Sequence, residues 1–340
     1  MVYTMRDVAR RAGVSPTTVS RVLNKNTQYI ADETRKRVLG VVDELNYYKN
    51  VHARRLATGR SNLFGLVVSD IANPFFPEVI RGFQRAAWDQ GFDVLVLNTE
   101  YSPARTQSIV RKLVESDVSG VAIMTSSIDD TATHELTNAE IGVVFSNFCR
   151  ADKYVSNITV NYATGIAQAI DHIVQLGHRR AAVIAGPEGN RTAAMIAHAL
   201  VSGLERNGMK PDPVTCSRYR IDAGALAVKD ILNAPELPTV IFCGSDLIAM
   251  GAMSALEEAG VRVPEDISVV GIDNISFATL ARPSLTTINV PREKLGETAF
   301  LALEKMLKLK RHSGAEYSLE TELVVRKSTA PARQNRKQNQ

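Results

Sequence analysis

The stretch Ser15-Pro16-Thr17-Thr18-Val19-Ser20-Arg21 puts short hydroxyls and one guanidinium at helical spacing. Such a face can read duplex DNA. Arginine grips a guanine bidentately, and threonine bonds a base edge or rests on a thymine methyl. Arg21 and Thr17 are the candidates for base edges, with Pro16 beside them. Thr18, Ser20 and Asn24 suit phosphates, contacts that position without specifying. Thr4 and Ser15, each one residue ahead of a helical run, complete this set. A second cluster follows in Asn50-Val51-His52-Ala53-Arg54-Arg55-Leu56, where Asn50, Ala53, Arg54 and Leu56 are candidates. The stretch is helix-prone but only about two turns long, marginal alone in water. Two readings stay open: a helix that folds on DNA and drives Leu56 into the minor groove as a wedge, or a flexible linker with an incidental leucine.

Three helices must position the first face. Thr4 caps a run from Met5 to Ala12 that places Val8, Ala9 and Ala12 on one side. Gly13 supplies the turn, Ser15 the next cap and Pro16 the first residue of a helix reaching Leu23. That helix buries Val19, Val22 and Leu23, and a third, from near Asp32 to near Leu45, covers both with Val38, Val41, Val42 and Leu45. In a helix-turn-helix the second helix enters the major groove. Charge agrees. Residues 1–60 hold twelve Lys and Arg against five acids, a net +7, while the rest of the chain holds 28 against 31. A polyanion therefore suits the head alone. A protein-interaction module with a solvated basic face is the rival. The short polar residues on the second helix favour DNA.

From Asn62 the pattern becomes α/β. Apolar runs at Phe64–Ser69, Phe92–Asn98, Gly120–Thr125, Gly142–Asn147, Ala181–Gly186, Thr239–Gly244 and Ile267–Asp273 read as strands. Amphipathic runs at Pro74–Gln90, Ala104–Ser116, Ala163–Leu176, Thr192–Asn207 and Leu247–Ala259 read as helices. The alternation implies doubly wound parallel sheets in two halves. Ligands in such sheets bind at the carboxyl ends of strands. That points to Ser69, Asp70, Asn73, Phe75, Asn147, Asn190 to Thr192, Ser245, Asp246 and Asp273.

Other chemistries find little support. No GxGxxG, Walker A or GxSxG motif occurs, and no base–nucleophile set, so an enzyme is not expected. His134, His172, His178, His198 and His312 lack metal spacing and read as surface or capping residues. No metal or cofactor is implied. Cys149, Cys216 and Cys243 lie far apart, which fits a reducing cytosol and buried apolar roles. The N-terminus carries no apolar signal core, and no run approaches membrane-spanning length. The expectation is a soluble cytoplasmic protein.

These motifs together resemble the lac-repressor (LacI/GalR) family of bacterial transcription regulators, from about Thr4 to Ser328. The most specific pieces are Asp7-Val8-Ala9, Ala12-Gly13-Val14-Ser15 and Thr18-Val19-Ser20-Arg21-Val22 in the head. Ala53-Arg54-Arg55-Leu56-Ala57, Asn73-Pro74-Phe75-Phe76, Leu176-Gly177-His178-Arg179, Phe242-Cys243-Gly244-Ser245-Asp246 and Gly271-Ile272-Asp273-Asn274 follow. Leu295-Gly296-Glu297-Thr298-Ala299 is most similar to the purine-repressor branch, which leaves the ligand open. The resemblance implies a helix-turn-helix head at 1–46, a DNA-induced hinge helix at 47–61 and a periplasmic-binding-protein-like body at 62–328. The body would divide into one subdomain of about 62–161 and 289–321 and another of about 162–288 and 322–328. It also implies a homodimeric repressor on a pseudo-palindromic operator, controlled by a small molecule such as a sugar. Control by a partner protein and a solute-binding role are the alternatives. Carried over by position, Asn73, Phe75, Phe76, Tyr219, Ser245 and Asp273 would hold the effector. Phe75 and Phe76 also suit plain core, Tyr219 a surface strand, Asp246 a helix cap and Asp273 loop amides.

Three departures stand out. Tyr47-Tyr48-Lys49-Asn50 lacks the family's proline and its fixed φ. Ile196 stands where many members carry an arginine, and Arg191, one turn earlier, is its candidate replacement. Asn161 replaces a usual aspartate. The tail, 329–340, is basic, rich in Gln and Asn and free of leucine heptads, so it reads as disordered rather than as a tetramerising coiled coil.

Overall fold

Thr4 and Asp7 open the first helix as a reciprocal cap. The computed structural model describes residues 3–23, 28–47, 61–125, 130–147, 151–209, 211–216, 218–309 and 313–333. These belong to two units, Met1–Ser61 and Asn62–Gln340. In the first, the Asp7 carboxylate accepts from Thr4 N at 2.9 Å and from Thr4 Oγ1 at 2.7 Å, while Asp7 N donates to Thr4 Oγ1 at 3.4 Å. Helix α1 (Met5–Ala12) stops at Gly13, whose φ of +64° carries no Cβ penalty. Helix α2 (Pro16–Leu23) starts where Thr18 N donates to Ser15 Oγ at 3.1 Å, and α3 (Asp32–Glu44) closes the motif. Val8, Val19 and Val38 are fully enclosed among Ala9, Ala12, Val22, Val41 and Tyr47. Each such valine contributes about 1.5–3 kcal/mol. Arg37 Nε donates to Ala12 O at 3.0 Å, and Arg11 pairs with Glu44, tying α1 to α3.

The second unit holds two six-stranded sheets. One comprises β1 (Leu63–Val68), β2 (Asp93–Asn98), β3 (Gly120–Met124), β4 (Gly142–Ser146), β5 (Val155–Asn161) and β11 (Glu316–Glu320), in the order β11-β5-β4-β3-β1-β2. The other comprises β6 (Ala181–Ala185), β7 (Asp212–Thr215), β8 (Val240–Cys243), β9 (Ser268–Asp273), β10 (Thr286–Asn289) and β12 (Glu322–Val324), in the order β12-β10-β9-β8-β6-β7. Every pairing of these strands is parallel except β10 with β12. The exception has a simple cause. Only Thr321 separates β11 from β12, so the chain leaves one sheet at its carboxyl end and enters the other against the direction of its strands.

Helices α4 (Phe75–Asp89), α5 (Pro103–Glu115), α6 (Asp130–Asn138) and α12 (Arg292–Lys308) pack with the first sheet. Helices α7 (Tyr162–Gln175), α8 (Arg191–Arg206), α9 (Ile221–Leu232), α10 (Asp246–Glu258) and the short α11 (Phe277–Leu280) accompany the second. The approach of α4 to α12 needs two glycines. A Cβ on Gly82 would strike the Glu293 carbonyl, and one on Gly296 would strike that of Val79. Phe64, Phe83, Phe92 and Phe300 fill the space beside them, with Phe64 and Phe300 edge-to-face at 5.4 Å.

Two expectations need correction. The tail does not begin as free chain: Ala330 N donates to Ser268 Oγ at 3.1 Å and Ala332 N to Leu176 O at 2.8 Å. Its residues beyond 333 lie outside the described ones. His178 is not a surface residue. It is 1% exposed and placed between Thr239 Oγ1, 2.9 Å from Nδ1, and Ala330 O, 3.0 Å from Nε2. His172 likewise meets Thr329 Oγ1 at 3.0 Å. Burial holds both imidazoles below their usual pKa. Among the described residues no helix is long and apolar enough to cross a membrane.

Candidate functional site

The carboxyl ends of both sheets face one cavity of about 120 Å³. From the first sheet come Ser69, Met124, Ser146, Asn147 and Tyr162. From the second come Asn190, Arg191, Thr192, Ser245 and Asp273. Asn73, Phe75, Phe76, Arg191, Tyr219, Ser245 and Asp273, carried over as effector contacts, all line this cavity, whereas the strand-end candidates Asp70 and Asp246 do not. Its size suits one small ring system, well below the roughly 300–1,000 Å³ of sites for drug-sized ligands.

Asn73 sits in the loop after β1, and its Oδ1 accepts from Phe75 N at 3.0 Å, which shapes the start of α4. Phe75 and Phe76 then stand edge-to-face, ring centroids 5.2 Å apart. Phe76 is buried as well as cavity-lining, so core and wall are one role. Tyr219 is not on a strand. It precedes α9 and lies over Gly186, where a Cβ would meet its hydroxyl oxygen at 2.5 Å and its ring at 2.6 Å. Glycine is therefore what admits the ring. Ile196, buried, adds apolar wall at the position where the sequence lacks an arginine. Asn161 lies apart from the cavity lining, its Nδ2 donating to Glu320 Oε2 at 2.8 Å and Thr164 Oγ1 at 3.0 Å.

Ser245 lines the cavity and also takes the cap role expected of Asp246. Ser245 Oγ caps α10 by accepting from Ile248 N at 3.3 Å. Asp246 is fully enclosed instead, and its carboxylate accepts from Thr287 Oγ1 at 2.5 Å and from Ile275 N at 2.8 Å. Burial raises its pKa against the pull of those bonds and of Arg292 and Arg326. Asp273 is raised too, by burial and then by Asp246. Its φ of +120° is one that side-chain-bearing residues rarely adopt, and such strain gathers at functional sites. Next to it, Asn274 O accepts from Arg292 Nη2 at 2.6 Å, and the same nitrogen lies 3.0 Å from Glu78 Oε2. Two phenols escaped the sequence reading. Tyr101 is pushed up to about 12 and Tyr162 higher, both chiefly by burial. Tyr162 directly follows β5, so the carboxyl-end rule applied to that strand would have found it.

In the head, Pro16, Thr17 and Arg21 are exposed on α2. Thr18 and Ser20 are half-buried there, with Thr18 Oγ1 2.9 Å from Ser15 Oγ. Thr4 is exposed, its hydroxyl engaged in the capping box. Asn24, Asn50, Ala53, Arg54 and Leu56 lie outside the described residues, as does Cys149. Cys216 and Cys243 are buried. Among the described residues no group of three or more His, Cys, Asp or Glu could hold a metal.

Residues 4–50 match the model of bacterial regulatory proteins, lacI family, and residues 170–329 that of a periplasmic binding protein-like domain. The HTH-type transcriptional repressor PurR of Photobacterium profundum is 34% identical over 328 residues, 96% of this chain and 98% of the relative. That of Vibrio vulnificus is 33% identical over 331 residues, 95% and 97%. The lac repressor dimer bound to operator and the anti-inducer ONPF superposes with a TM-score of 0.84 at 30% identity, over 97% of this chain and 100% of that one. The transcriptional regulator CelR–cellobiose complex gives 0.72 at 28%, over 96% and 99%. Head, body and full-length identity thus converge, and the chain belongs to the lacI family of bacterial regulatory proteins.

Proposed function

We propose that this protein is a transcriptional repressor that binds a pseudo-palindromic operator as a homodimer, under control of a small molecule held between its two sheets. The observation that carries this reading is full-length identity to repressors together with a cleft walled by both sheets. Arg21, Thr17 and Pro16 read base edges, and Thr18, Ser20 and Asn24 meet phosphates. Asn50, Ala53, Arg54 and Leu56 serve the hinge, with Leu56 as the minor-groove wedge. A second copy suits the groove where Met250 and Met253 meet Phe277 and Leu280, because Phe277 and Leu280 are exposed there. The cleft is a binding site rather than an active site: no nucleophile–base pair stands in it among the described residues. Action on operator DNA places the protein in the cytoplasm.

Selection of duplexes from a random pool, followed by binding at graded salt, tests the proposal. The expected result is a two-fold-symmetric consensus with affinity that falls steeply as salt rises. Recovery of no consensus would overturn it.

A further inference from the structure

We infer that Asp246 and Thr287, neither of which lines the cavity, position Asp273 and so set how tightly the cleft binds its effector. This rests on the reading of the cleft as the effector site. Asp246 reaches Asp273 from two sides. Its backbone N–H donates to the Asp273 carboxylate. Its side chain extends behind Asp273 to the residues that follow. There Oδ2 accepts from Ile275 N at 2.8 Å, and Oδ1 from Thr287 Oγ1 at 2.5 Å. Thr287 Oγ1 in turn accepts from Asn274 N at 3.3 Å. Two fully enclosed side chains thus hold both amides that come directly after Asp273. Gly271 makes the room, because a Cβ there would strike Asp246 Oδ1.

The turn needs this hold. Asp273 and Asn274 have φ of +120° and +57°, a region that residues with side chains rarely adopt. Such a conformation persists only where the surroundings over-determine it. Around Asn274 they do. Its carbonyl accepts from Arg292 Nη2 at 2.6 Å and its Oδ1 from Arg326 Nη2 at 2.6 Å. Its Nδ2 donates to Asn289 Oδ1 at 3.0 Å. With Thr287 on its amide, every polar group of Asn274 is engaged. Of the two strained residues, Asp273 is the one that lines the cavity. Relaxing its φ would swing the carboxylate to another direction. Asp246 and Thr287 oppose that relaxation from behind, which pre-organises Asp273 for a ligand they do not touch.

The test uses the full-length chain and five probes: ribose, gluconate, glucose 6-phosphate, adenosine and guanine. The probe that raises the unfolding midpoint most is carried into calorimetry. Thr287→Val removes the bridging hydroxyl at nearly constant volume. Checked for folding by circular dichroism, it should bind that probe about tenfold more weakly, the loss of one hydrogen bond. Thr287→Ser keeps the hydroxyl and should bind as the wild type does. Val110→Ala loosens the buried face of α5, away from the cavity, and should also bind as the wild type does. Asp246→Ala repeats the comparison should Thr287→Val not fold. Wild-type affinity in the folded Thr287→Val protein overturns the positioning role and leaves the effector reading intact. An equal loss in Val110→Ala overturns it too, because general loosening would then explain the effect. No rise with any probe overturns both.

Discussion

Asp246→Ala offers the sharpest test of the polar core behind the cleft. Its carboxylate satisfies two buried donors, Thr287 Oγ1 at 2.5 Å and Ile275 N at 2.8 Å. Truncation strands both, at about 1–3 kcal/mol each, so about 2–5 kcal/mol is expected after some relief from removing an enclosed acid. The loss should depend on pH with a definite sign. Burial raises the folded pKa of Asp246 above its unfolded value. Its stabilising contribution is then complete below about pH 4, the unfolded carboxylate range, and falls as pH rises through the folded pKa. The variant lacks that decline, so the destabilisation should be larger near about pH 5 than near about pH 8. Asp273 acts in the same direction because burial, and then Asp246, raises it. His172 and His178 act oppositely, since their lowered pKa gives stability that is lost as pH falls. The readout must therefore be the difference between wild type and variant in urea unfolding at each pH. A difference that grows with pH would refute the reasoning. It would mean that Arg292 and Arg326 outweigh desolvation and keep Asp246 ionised.

The same substitution should act with opposite signs at two glycines. Gly82→Ala meets the Glu293 carbonyl and should cost about 1–3 kcal/mol or more by overpacking; Gly40→Ala in α3 meets nothing within 4 Å and should stabilise the head by about 0.5–1 kcal/mol, both read by thermal unfolding. Arg21→Ala should cost about 1–3 kcal/mol at one base position and relax the preference there; an unchanged consensus in binding selection would remove Arg21 from the readout. Leu56→Ala should weaken operator binding far more than binding to random duplex, and equal losses in a filter-binding comparison would eliminate the wedge.

Much of this was legible because local and global signals agree. In the head, Thr4, Gly13 and Ser15 mark helix ends by backbone chemistry that acts within four residues, and the observed α1 and α2 run from Met5 to Ala12 and Pro16 to Leu23 as the pattern requires. The body strands β1, β3, β4, β6, β8 and β9 announced themselves as continuous apolar runs, the mark of strands covered on both faces. What stayed hidden lacks that mark. Strand β7, Asp-Pro-Val-Thr, is a mostly exposed edge, and β11 alternates exposed and half-buried residues. The cap role of Ser245 and the burial of Asp246 could not be separated by spacing, because both residue types cap helices. His178 was misread for a related reason. Its cover comes from Thr239 and from the docked tail, whose Ala330 lies 152 residues away in sequence.

The polar chain beside Asp273 also bears on how one cleft can influence the whole body. Glu78 and Arg292 belong to helices of the first sheet, and Asn274 and Arg326 to the second half. Arg292 Nη2 reaches across to Asn274 O, while Arg326 Nη2 donates to Asn274 Oδ1 at 2.6 Å and Asn274 Nδ2 to Asn289 Oδ1 at 3.0 Å. Asn274 follows Asp273 directly, and both hold positive φ, +57° and +120°. A displacement of the Asp273 backbone therefore moves the carbonyl that Arg292 holds. The guanidinium is 5% exposed, yet its Nε and Nη1 have no partner among the described residues. Buried donors left unpaired are costly. A contact that is enclosed but incompletely satisfied favours discrete alternatives over gradual drift, because intermediate positions leave still more donors bare. On the proposed effector role of Asp273, binding energy there can be converted into a choice between sheet arrangements only if such alternatives differ in their affinity for the ligand.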